Sequence, residues 1–594
     1  MKKILFLLLL LASVAHAAKR PNLLFITVDD MSADSVGVFG CKLAGTTPHI
    51  DRLAGESMRF QYAHVVVGNC MPSRNVMLSG RYPHNNRVEG FYQVKDKNYP
   101  VLCDLMKEAG YFTAIRGKVS HSTPYHPYEW DLVLDGHPKD VASYGRSTKE
   151  GIAKAREAGK PFCLLVNISD PHKPFYATGK KGEKIHDPHK PSRVFTAEEV
   201  PVPGFLFEHP DVRTELAQYY STVRRADDCA GEILGALKES GAGEDTVIFF
   251  LSDHGMPLPF AKTAVWHHST HTPLIVKWPG ITKAGSVDHR HMVSAVDLLP
   301  TFLDVTGIKH PSGMDGRSFE SVMRGKKQAG REYIFKVYNE NSGAGRHPMG
   351  SVQSRRFCYI YSPWSDGVNK FKTATTGTMS YRAMQKVAAT DQKIAARLQL
   401  FDHGVPEEFY DVAKDPDCLH NLIDDSSVTA ELNRHRQALA DWMQATGDHL
   451  QTVFAHRDND RLRASYMVRV QEEANERRKL KQKNNPKRQR GNRQLIKIEL
   501  PTKISAGNAL VVKIPHKFPK GLGEQKVHVT LKTGRSLKRL RREVKSASGT
   551  GVLEFEFSLP ETLTDDTIGI AAFVGEEYQK NLQHVATKAI KLKE

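Results

Sequence analysis

Residues 69–74, with the sequence NCMPSR, place a cysteine at a turn that leads into a helix. Pro72 suits the first helical turn, because the N–H that proline lacks would have no partner there in any case. Cys70 would then face the positive end of the helix dipole, with the charge of Arg74 close by. This setting indicates a reactive group that faces an anion, whereas the cysteine considered alone fits a buried structural role better.

Two pairs of polar residues directly follow apolar runs that are typical of buried parallel strands. Asp29 and Asp30 follow residues 23–28, and Asp253 and His254 follow residues 246–251 with one serine between. Open α/β sheets bind ligands beyond the carboxyl ends of their strands. Adjacent carboxylates repel unless they are solvated or share a cation, so the acids indicate a hard cation with oxygen ligands. Asp29 and Asp30 alone are also compatible with an Asx turn that caps a helix.

Basic residues and histidines follow two further strand-like segments. Lys118 and His121 come after residues 113–115, and His172 comes after residues 162–168. One such coincidence means little. Four strand ends with polar residues, together with Cys70, predict one site that is assembled from distant segments of the chain.

The elements that must position these residues repeat in the order strand, turn, helix. This order predicts an α/β fold with a mixed, mainly parallel sheet and helices on both faces, over residues 18–375. Residues 376–470 combine strand-like pieces with a helix at about 428–447, which predicts a smaller α+β subdomain.

The remainder of the chain changes in composition. Residues 471–494 read as a basic linker or a charged helix end, with nine Lys or Arg and no acid between Arg477 and Arg493. Residues 495–594 contain several apolar runs of strand length with turn residues between them, which predicts an all-β, sandwich-like accessory domain without a catalytic cluster. Its basic face either contacts anionic glycans or is an ordinary surface.

Length and composition indicate a globular protein of two or three domains, with 594 residues, 40% hydrophobic and 25% charged. The net charge of +18 is partly local, so it does not by itself indicate nucleic-acid binding. Residues 1–17 read as a signal peptide cleaved after Ala17, which predicts export to the periplasm or the extracellular space. No second apolar run predicts a transmembrane segment. Seven cysteines without a C-x-x-C pair argue against a zinc site and leave disulfide pairing open.

The cysteine motif with the following Ser79-Gly80-Arg81 resembles the sulfatase signature, in which the cysteine is converted to formylglycine. The resemblance extends from Pro21 to about Gly447 and implies an alkaline-phosphatase-like fold. Within the family, the segments at 169–174, 214–228, 247–263 and 351–361 are most similar to heparan N-sulfatases (sulfamidases). GKVSH at 117–121 and the Asp253-His254 pair are similar to iduronate 2-sulfatases.

The resemblance also implies a role for each site residue. Cys70, as formylglycine, would supply the nucleophilic oxygen from its hydrate and contact one calcium ion. The other calcium ligands would be Asp29, Asp30, Asp253 and His254. The remaining roles fall to five side chains. Arg74 and Lys118 would bind the hydrate and the sulfate oxygens, His121 would position or deprotonate the hydrate, and His172 and Lys262 would contact the sulfate and protonate the leaving group.

Three features depart from the family pattern or stay open. Many relatives, including sulfamidases, have asparagine at the position of His254, and an amide oxygen suits calcium better than an imidazole. The spacing around Lys262 differs from the commoner pattern. His267, His268 and His271 either line the rim of the substrate pocket or lie exposed to solvent.

These observations predict a calcium-dependent sulfatase that removes the N-sulfate of glucosamine from heparin-like or heparan-like saccharides. An O-sulfatase on another sulfated polysaccharide, a phosphate or phosphonate ester hydrolase, and a glycan-binding protein with an inactive site are the alternatives. The expected partners are the sulfated glycan and a formylglycine-generating or anaerobic sulfatase-maturing enzyme. No nucleic-acid partner is expected, and a dimer is considered.

Overall fold

The computed structural model describes residues 20–94, 98–122, 129–179, 183–483, 495–519, 522–534, 538–561, 566–576, 582–587 and 589–592. The chain divides into two units, with the boundary in the sequence between Ala474 and Asn475. The predicted signal peptide at 1–17 lies outside the described residues. Among the described helices, none is long and apolar enough to cross a membrane.

A mixed eight-stranded sheet forms the centre of the first unit. The strands of residues 20–294 are β1 (Asn22–Asp29), β2 (Met58–Phe60), β3 (Ala63–His64), β4 (Phe112–Arg116), β5 (Leu132–Leu134), β6 (Phe162–Pro171), β7 (Thr246–Ser252), β8 (Leu274–Lys277), β9 (Ser286–Asp288) and β10 (Val293–Ser294). Eight of them lie in the order β5-β4-β6-β1-β7-β8-β2-β9. All run parallel to β1 except β8, which is antiparallel to both of its neighbours. Strand β1 lies in the middle, which explains its continuous apolar run.

Helices cover both faces of this sheet, as predicted. They are α1 (Pro48–Gly55), α2 (Cys70–Ser79), α3 (Pro83–Asn86), α4 (Leu102–Glu108), α5 (Val141–Glu157), α6 (Pro210–Glu239), α7 (His267–Thr270), α8 (Leu298–Thr306) and α9 (Glu320–Met323). Side chains of β1 alternate between two cores. Leu24 and Ile26 join the core that contains residues of α5 and α6, whereas Leu23 and Phe25 join the core of α4 and α8.

The smaller α+β part of the first unit contains an antiparallel sheet. Its elements are β11 (Ile334–Glu340), β12 (Arg346–Gln353), β13 (Phe357–Tyr361), α10 (Met379–Val387), α11 (Gln392–His403), β14 (Glu407–Asp411), α12 (Thr429–Thr446) and α13 (Gln451–Ala455). Helix α14 (Asp460–Lys483) begins in this part and crosses the boundary between the two units. The strands lie in sequence order, and α12 packs against β12 and β13. Strands β11 to β13 precede residue 376, where the sequence alone places the start of this subdomain.

The second unit is β-rich, which confirms that part of the predicted fold class. Its strands are β15 (Ala509–Lys517), β16 (Gln525–Thr533), β17 (Lys538–Ala547), β18 (Thr550–Ser558), β19 (Thr567–Val574), β20 (Gln583–Ala586) and β21 (Ile590–Lys591). Strands β15 and β18 form one antiparallel sheet, and the other five form a second. Apolar residues from both sheets share one core, as in a β-sandwich.

Helix α14 continues to Lys483, so the first part of the segment at 471–494 is a charged helix end, the second of the two interpretations given above, while residues 484–494 lie outside the described residues. One detail differs from the sequence-based expectation. Strand β17 was not predicted, because its basic sequence lacks an apolar face and its described side chains are mostly exposed. All seven cysteines are free thiols.

Candidate active site

The carboxyl end of β1 carries the two adjacent acids. Asp29 is the last residue of β1, and Asp30 follows it with a positive φ of 73°. Such a backbone conformation is uncommon outside glycine and recurs at functional sites. The Asp30 N–H donates to Asp253 Oδ1 at 3.2 Å, so the ends of β1 and β7 are joined directly. All three carboxylates are buried.

Cys70 is the first residue of α2, in agreement with the expected turn. The Asn69 side chain accepts a hydrogen bond from the Cys70 N–H at 3.2 Å and begins the helix. The cysteine side chain is only 3% exposed, and its Sγ lies 3.3 Å from His254 Nε2 and 4.0 Å from Lys262 Nζ. Burial raises the pKa of the Cys70 thiol despite the nearby lysines. The unmodified side chain is therefore a neutral thiol.

Arg74 lies one turn along α2, and its Nε and Nη1 donate to protein groups, whereas its buried Nη2 donates no hydrogen bond to the described residues. Its Nε and Nη2 both lie 2.9 Å from Asp253 Oδ2. Its Nη1 donates to Thr27 Oγ1 at 2.8 Å and to Asn167 Oδ1 at 2.7 Å. Arg74 thus orients the carboxylate of Asp253 and connects α2 to β1 and β6.

Asn167 and Thr27 are site residues that the sequence analysis missed. Asn167 also donates from Nδ2 to the carbonyl oxygens of Arg116 and Gly117, at 3.1 and 3.0 Å. It therefore connects Arg74 to the loop that carries Lys118. The available signal is a polar side chain within the apolar run of β6, since a buried amide needs hydrogen-bond partners.

Two lysines compensate the adjacent acids, of which Lys262 is buried and Lys118 is half-buried. Lys262 Nζ donates to both oxygens of Asp30, at 2.7 and 2.8 Å. Lys118 Nζ forms an ion pair with Asp29 Oδ2. Burial alone would raise the pKa of the Asp29 carboxyl, but Lys118 and the other nearby cations hold it well below its usual range. Burial likewise opposes the charge of Lys262, and its acidic neighbours nevertheless raise the pKa of that lysine.

The arrangement around His254 fits a bound cation. His254 Nδ1 lies 3.0 Å from the Gly255 carbonyl oxygen and must donate to it, so Nε2 of the neutral ring carries the lone pair. That Nε2 lies 3.2 Å from Asp30 Oδ1 and 3.5 Å from Asp253 Oδ1. Lone pairs that face carboxylates repel each other unless a cation lies between them. Burial lowers the pKa of His254, so a proton is poorly suited to that task.

The donor set also fits a metal ion. Ligand atoms of Asp29, Asp30, Cys70 and His254 all lie within 4.8 Å of one another. Among the described residues, Asp29 Oδ1 accepts no hydrogen bond, and the contact reported for Oδ2 is the ion pair with Lys118. Carboxylate oxygens are the ligands that calcium and magnesium prefer. Asp253 lies beside this group and is already held by Arg74.

His121 and His172 lie on the loops after β4 and β6. Burial, with Lys118 and Arg74, lowers the pKa of His121 to about 4, so the ring is neutral near pH 7. Its buried Nδ1 has no hydrogen-bond partner among the described residues. His172 Nδ1 donates to the Lys173 carbonyl oxygen at 2.6 Å, and the ring lies near enough to Asp29 and Asp30 to lower their pKa values.

A buried ion network that the sequence analysis missed holds the loop of His172. Asp170 and Arg225 are both fully buried, with Arg225 Nε 2.6 Å from Asp170 Oδ2. Arg225 also pairs with Asp187 at 2.8 Å. Lys139 pairs with Asp170 and donates to the His172 carbonyl oxygen at 3.0 Å. These charges are distant in sequence, so no local pattern signals them.

His267, His268 and His271 are partly buried, so the alternative in which they lie exposed to solvent is wrong. His267 Nδ1 accepts from Gln353 Nε2 at 3.0 Å, and His268 Nε2 lies 3.1 Å from Asp417 Oδ1. His271 Nε2 lies 3.0 Å from the Gln61 carbonyl oxygen. The cluster therefore connects the segment before Cys70 with the smaller α+β part.

Known proteins resemble the chain over most of the first unit. The human N-sulphoglucosamine sulphohydrolase is 28% identical over 479 residues, covering 74% of this chain and 93% of that protein. An ulvan-active sulfatase of Formosa agariphila is 26% identical over 436 residues, covering 73% and 82%. A solved structure described as a 2-O GAG sulfatase superposes with a TM-score of 0.55 at 21% identity, covering 73% of this chain and 94% of that one.

The family comparison agrees with these relatives. Residues 21–308 match the family described as Sulfatase, and they contain every acid, lysine, histidine and arginine of the site together with Cys70. Residues 21–308 of this chain therefore belong to the sulfatase family.

Proposed function

We propose that the protein is an exported, formylglycine-dependent sulfatase that uses calcium and removes sulfate from a sulfated glycan. The observation that carries this proposal is the cluster of Cys70 with Asp29, Asp30, His254 and Lys262 in one buried site. The finer substrate is the N-sulfate of glucosamine in heparin-like saccharides, which is supported by the 28% identity to N-sulphoglucosamine sulphohydrolase.

The protonated thiol of Cys70 favours this chemistry over a thiolate mechanism. Burial raises its pKa, so a thiolate nucleophile would be scarce near pH 7. A formylglycine hydrate at this position would supply an oxygen nucleophile, and a calcium ion held by the acids would stabilise negative charge beside it. The maturation enzyme that converts Cys70 is an implied partner.

The chain's own residues would handle charge and protons. Lys118 is half-buried and pairs with Asp29, whereas Lys262 is buried, pairs with Asp30 and lies 4.0 Å from Cys70 Sγ. Both cations would stabilise the charge that a sulfuryl group develops during transfer. His121 is neutral and has an unpartnered Nδ1 among the described residues, so it suits proton abstraction. His172 would protonate the leaving nitrogen or oxygen, held in place through its Nδ1–H and its carbonyl oxygen.

An O-sulfatase on another polysaccharide is the second candidate function. It is favoured by the 26% identity to an ulvan-active sulfatase, which is close to the identity with the N-sulfatase. The site described above serves either reaction, because the sulfuryl group and the cation are the same. Groups at the pocket rim would distinguish the two.

Sulfate release from two matched disaccharides tests both candidates. One carries only an N-sulfate on glucosamine and the other only an O-sulfate, with Cys70→Ala as the blank. Release from the N-sulfated compound alone is expected. Release from the O-sulfated compound alone would replace the substrate but keep the sulfatase, and release from neither would contradict the proposal.

The modification itself is tested by mass spectrometry. The peptide that contains residue 70 is expected to be about 18 Da lighter than its cysteine form. An unmodified peptide from a host with a maturation enzyme, together with glycan binding but no turnover, would instead indicate a binding protein with an inactive site.

A further inference from the structure

A basic cleft of about 490 Å³ lies in the first unit, and none of its residues belongs to the catalytic cluster. It lies between the segments around β9 and β11 on one side and the β12–β13 turn with α12 on the other. Its lining residues are Arg290, His291, Lys327, Gln328, Ala329, Arg331, Glu332, Tyr333, Ser354, Arg355, Arg356, Glu431 and His435. Five of these are arginine or lysine and two are acidic.

The floor of the cleft is fixed by satisfied polar groups. His435 is 1% exposed, and its two nitrogens contact Ser354 Oγ at 3.1 Å and the Glu431 carbonyl oxygen at 2.8 Å. Arg331 is 6% exposed and pairs with Asp297 at 2.5 Å. These groups hold the shape of the cleft and have little capacity left for a ligand.

The rim, in contrast, carries cations that are available to a ligand. Arg290, Lys327 and Arg355 are exposed, and none of them has a carboxylate partner among the residues that the structure describes. Arg356 differs, since its guanidinium pairs with Asp411 Oδ2 at 2.9 Å. Of the two lining acids, Glu431 is already paired with Arg434. The other lining acid, Glu332, is exposed and opposes these cations, so three cations against one acid leave an excess of positive charge in the cleft.

Tyr333 adds an aromatic surface beside these charges. Its ring is half-buried and packs edge-on against the His435 ring, with centroids 5.3 Å apart. An aromatic face with an apolar body and a polar tip is suited to a partner that has both C–H and polar groups, as a sugar ring does. Cations around an aromatic ring therefore favour an acidic sugar over a simple inorganic anion.

The sheet topology places this cleft on the same side of the sheet as the catalytic site, beyond the carboxyl ends of the parallel strands. Strand β9 is parallel to β2 and hence to β1, and it ends at Asp288, two residues before Arg290. In the strand register, Val287 of β9 corresponds to Ile26 of β1 through Arg59, Ile275 and Phe250. Four strand steps separate β1 from β9, which corresponds to about 19 Å at the usual strand spacing.

We propose that this cleft is a remote subsite that binds an anionic stretch of a sulfated polysaccharide while another part of the same chain occupies the catalytic site. The proposal rests on the proposed function for the identity of the ligand. Because both sites lie beyond the carboxyl ends of the parallel strands, a single extended polysaccharide reaches both. Long substrates should therefore be preferred over disaccharides.

Binding is measured first, with a heparin-derived octasaccharide and a heparin-derived disaccharide as probes. The parent is Cys70→Ala, which cannot turn over, and the test variant adds Arg290→Glu and Arg355→Glu. The octasaccharide is expected to bind about tenfold more weakly to the test variant at physiological salt. The disaccharide should bind both proteins equally.

The matched control adds Arg156→Glu and Lys160→Glu instead, which changes the net charge by the same amount. Both residues are exposed and precede β6, at the opposite edge of the sheet. The control is expected to bind the octasaccharide as the parent does. Equal losses in control and test variant would show a general charge effect and overturn the subsite, as would no loss in either.

Turnover distinguishes a failure of the subsite from a failure of the proposed function. In the matured enzyme, Arg290→Glu with Arg355→Glu should raise KM for the octasaccharide about tenfold and leave kcat and disaccharide turnover unchanged. If no glycan is a substrate, the binding measurement still decides the subsite.

Two further binding experiments test the kind of ligand. Tyr333→Ala should weaken octasaccharide binding further. Equal competition by a single-stranded octanucleotide would contradict a site for acidic sugars.

Discussion

At the scale of single residues, Cys70 shows two opposed influences on one thiol. The helix N-terminus and nearby lysines favour a thiolate, whereas burial disfavours it and prevails, so the pKa is raised. A cysteine at a helix N-terminus is therefore not sufficient evidence for thiolate chemistry. The observation is instead compatible with a residue that has to be converted before it reacts.

We expect His254→Asn to bind calcium more tightly, by about tenfold, because an amide oxygen replaces an imidazole nitrogen. The measurement is the midpoint temperature of thermal unfolding at a series of calcium concentrations. This midpoint should begin to increase at a lower calcium concentration for the variant that binds calcium more tightly. His254→Leu is the control and should need more calcium than the wild type. If the asparagine variant behaves like the leucine variant, the ion at this site is not calcium.

Much of the site is predictable from sequence, because its residues lie at the ends of strands or at the start of a helix, and the sequence pattern indicates both. Asp29 and Asp253 follow apolar strands, and Cys70 lies at a turn before a helix, so their convergence follows from the topology of a parallel sheet. Asn167 and Arg225 were not predicted. Each is buried by partners far away in the chain, and a single polar residue in an apolar segment does not say which partner it meets.

At the scale of elements, the pair Arg225–Asp170 connects α6 to the end of β6. We expect Arg225→Leu to lower the free energy of unfolding by about 3–5 kcal/mol, because Asp170 would remain buried with less compensation. Sulfate release should fall as well, since Asp170 and Lys139 hold the loop of His172.

Denaturant unfolding measures that loss. The neighbouring Arg224→Leu is the matched control, because Arg224 keeps 16% of its side chain exposed and pairs with Asp228 at 3.3 Å. The control substitution should lower the free energy of unfolding by clearly less than Arg225→Leu does. Equal losses would mean that the buried pair adds nothing beyond ordinary side-chain packing.

His449 connects two parts of the first unit and makes their contact sensitive to pH. Its Nε2 lies 2.7 Å from Glu89 Oε1, and its Nδ1 lies 2.8 Å from the Tyr466 hydroxyl. Burial alone would lower the pKa of His449, but the Glu89 carboxylate raises it overall. The histidine therefore keeps its charge to a higher pH in the folded chain than in the unfolded chain.

From this raised pKa we expect His449→Leu to destabilise the protein more at pH 5.5 than at pH 9. The stabilisation is complete below the unfolded pKa of about 6.5 and is lost as the pH rises through the folded value. Thermal unfolding at several pH values measures it, with the exposed His456→Leu as control. A loss that is the same at every pH would contradict the charged pair.

The elements were predicted best where an apolar pattern and a boundary signal agree. Strands β1, β6 and β7 each show a long buried run, and α6 shows a clear helical period. Strand β17 lacks such a pattern, because an edge strand with exposed basic residues has no face that needs burial. Strands β11 to β13 of the smaller antiparallel sheet lie before residue 376, where the sequence alone places the start of that subdomain.

At the scale of the whole molecule, the second unit has a core of its own. We expect a chain that ends at Lys483 to fold and to release sulfate from a disaccharide within a few-fold of the full chain. Activity and thermal unfolding of the shortened chain are the measurements. An inactive or insoluble product, beside an active full-length control, would show that the β-rich unit is needed for the first unit to fold.

The balance of charges at the site links the binding of the cation to the binding of the substrate. The carboxylates and basic side chains described there are equal in number and cancel: Asp29, Asp30 and Asp253 against Arg74, Lys118 and Lys262. A divalent ion that joins them leaves an excess of two positive charges, and a sulfate group reduces that excess. Cation and substrate therefore strengthen each other's binding, and thermodynamic reciprocity requires the same factor in both directions. If the proposed calcium ion binds here, a high concentration of substrate would keep it bound even where calcium is scarce.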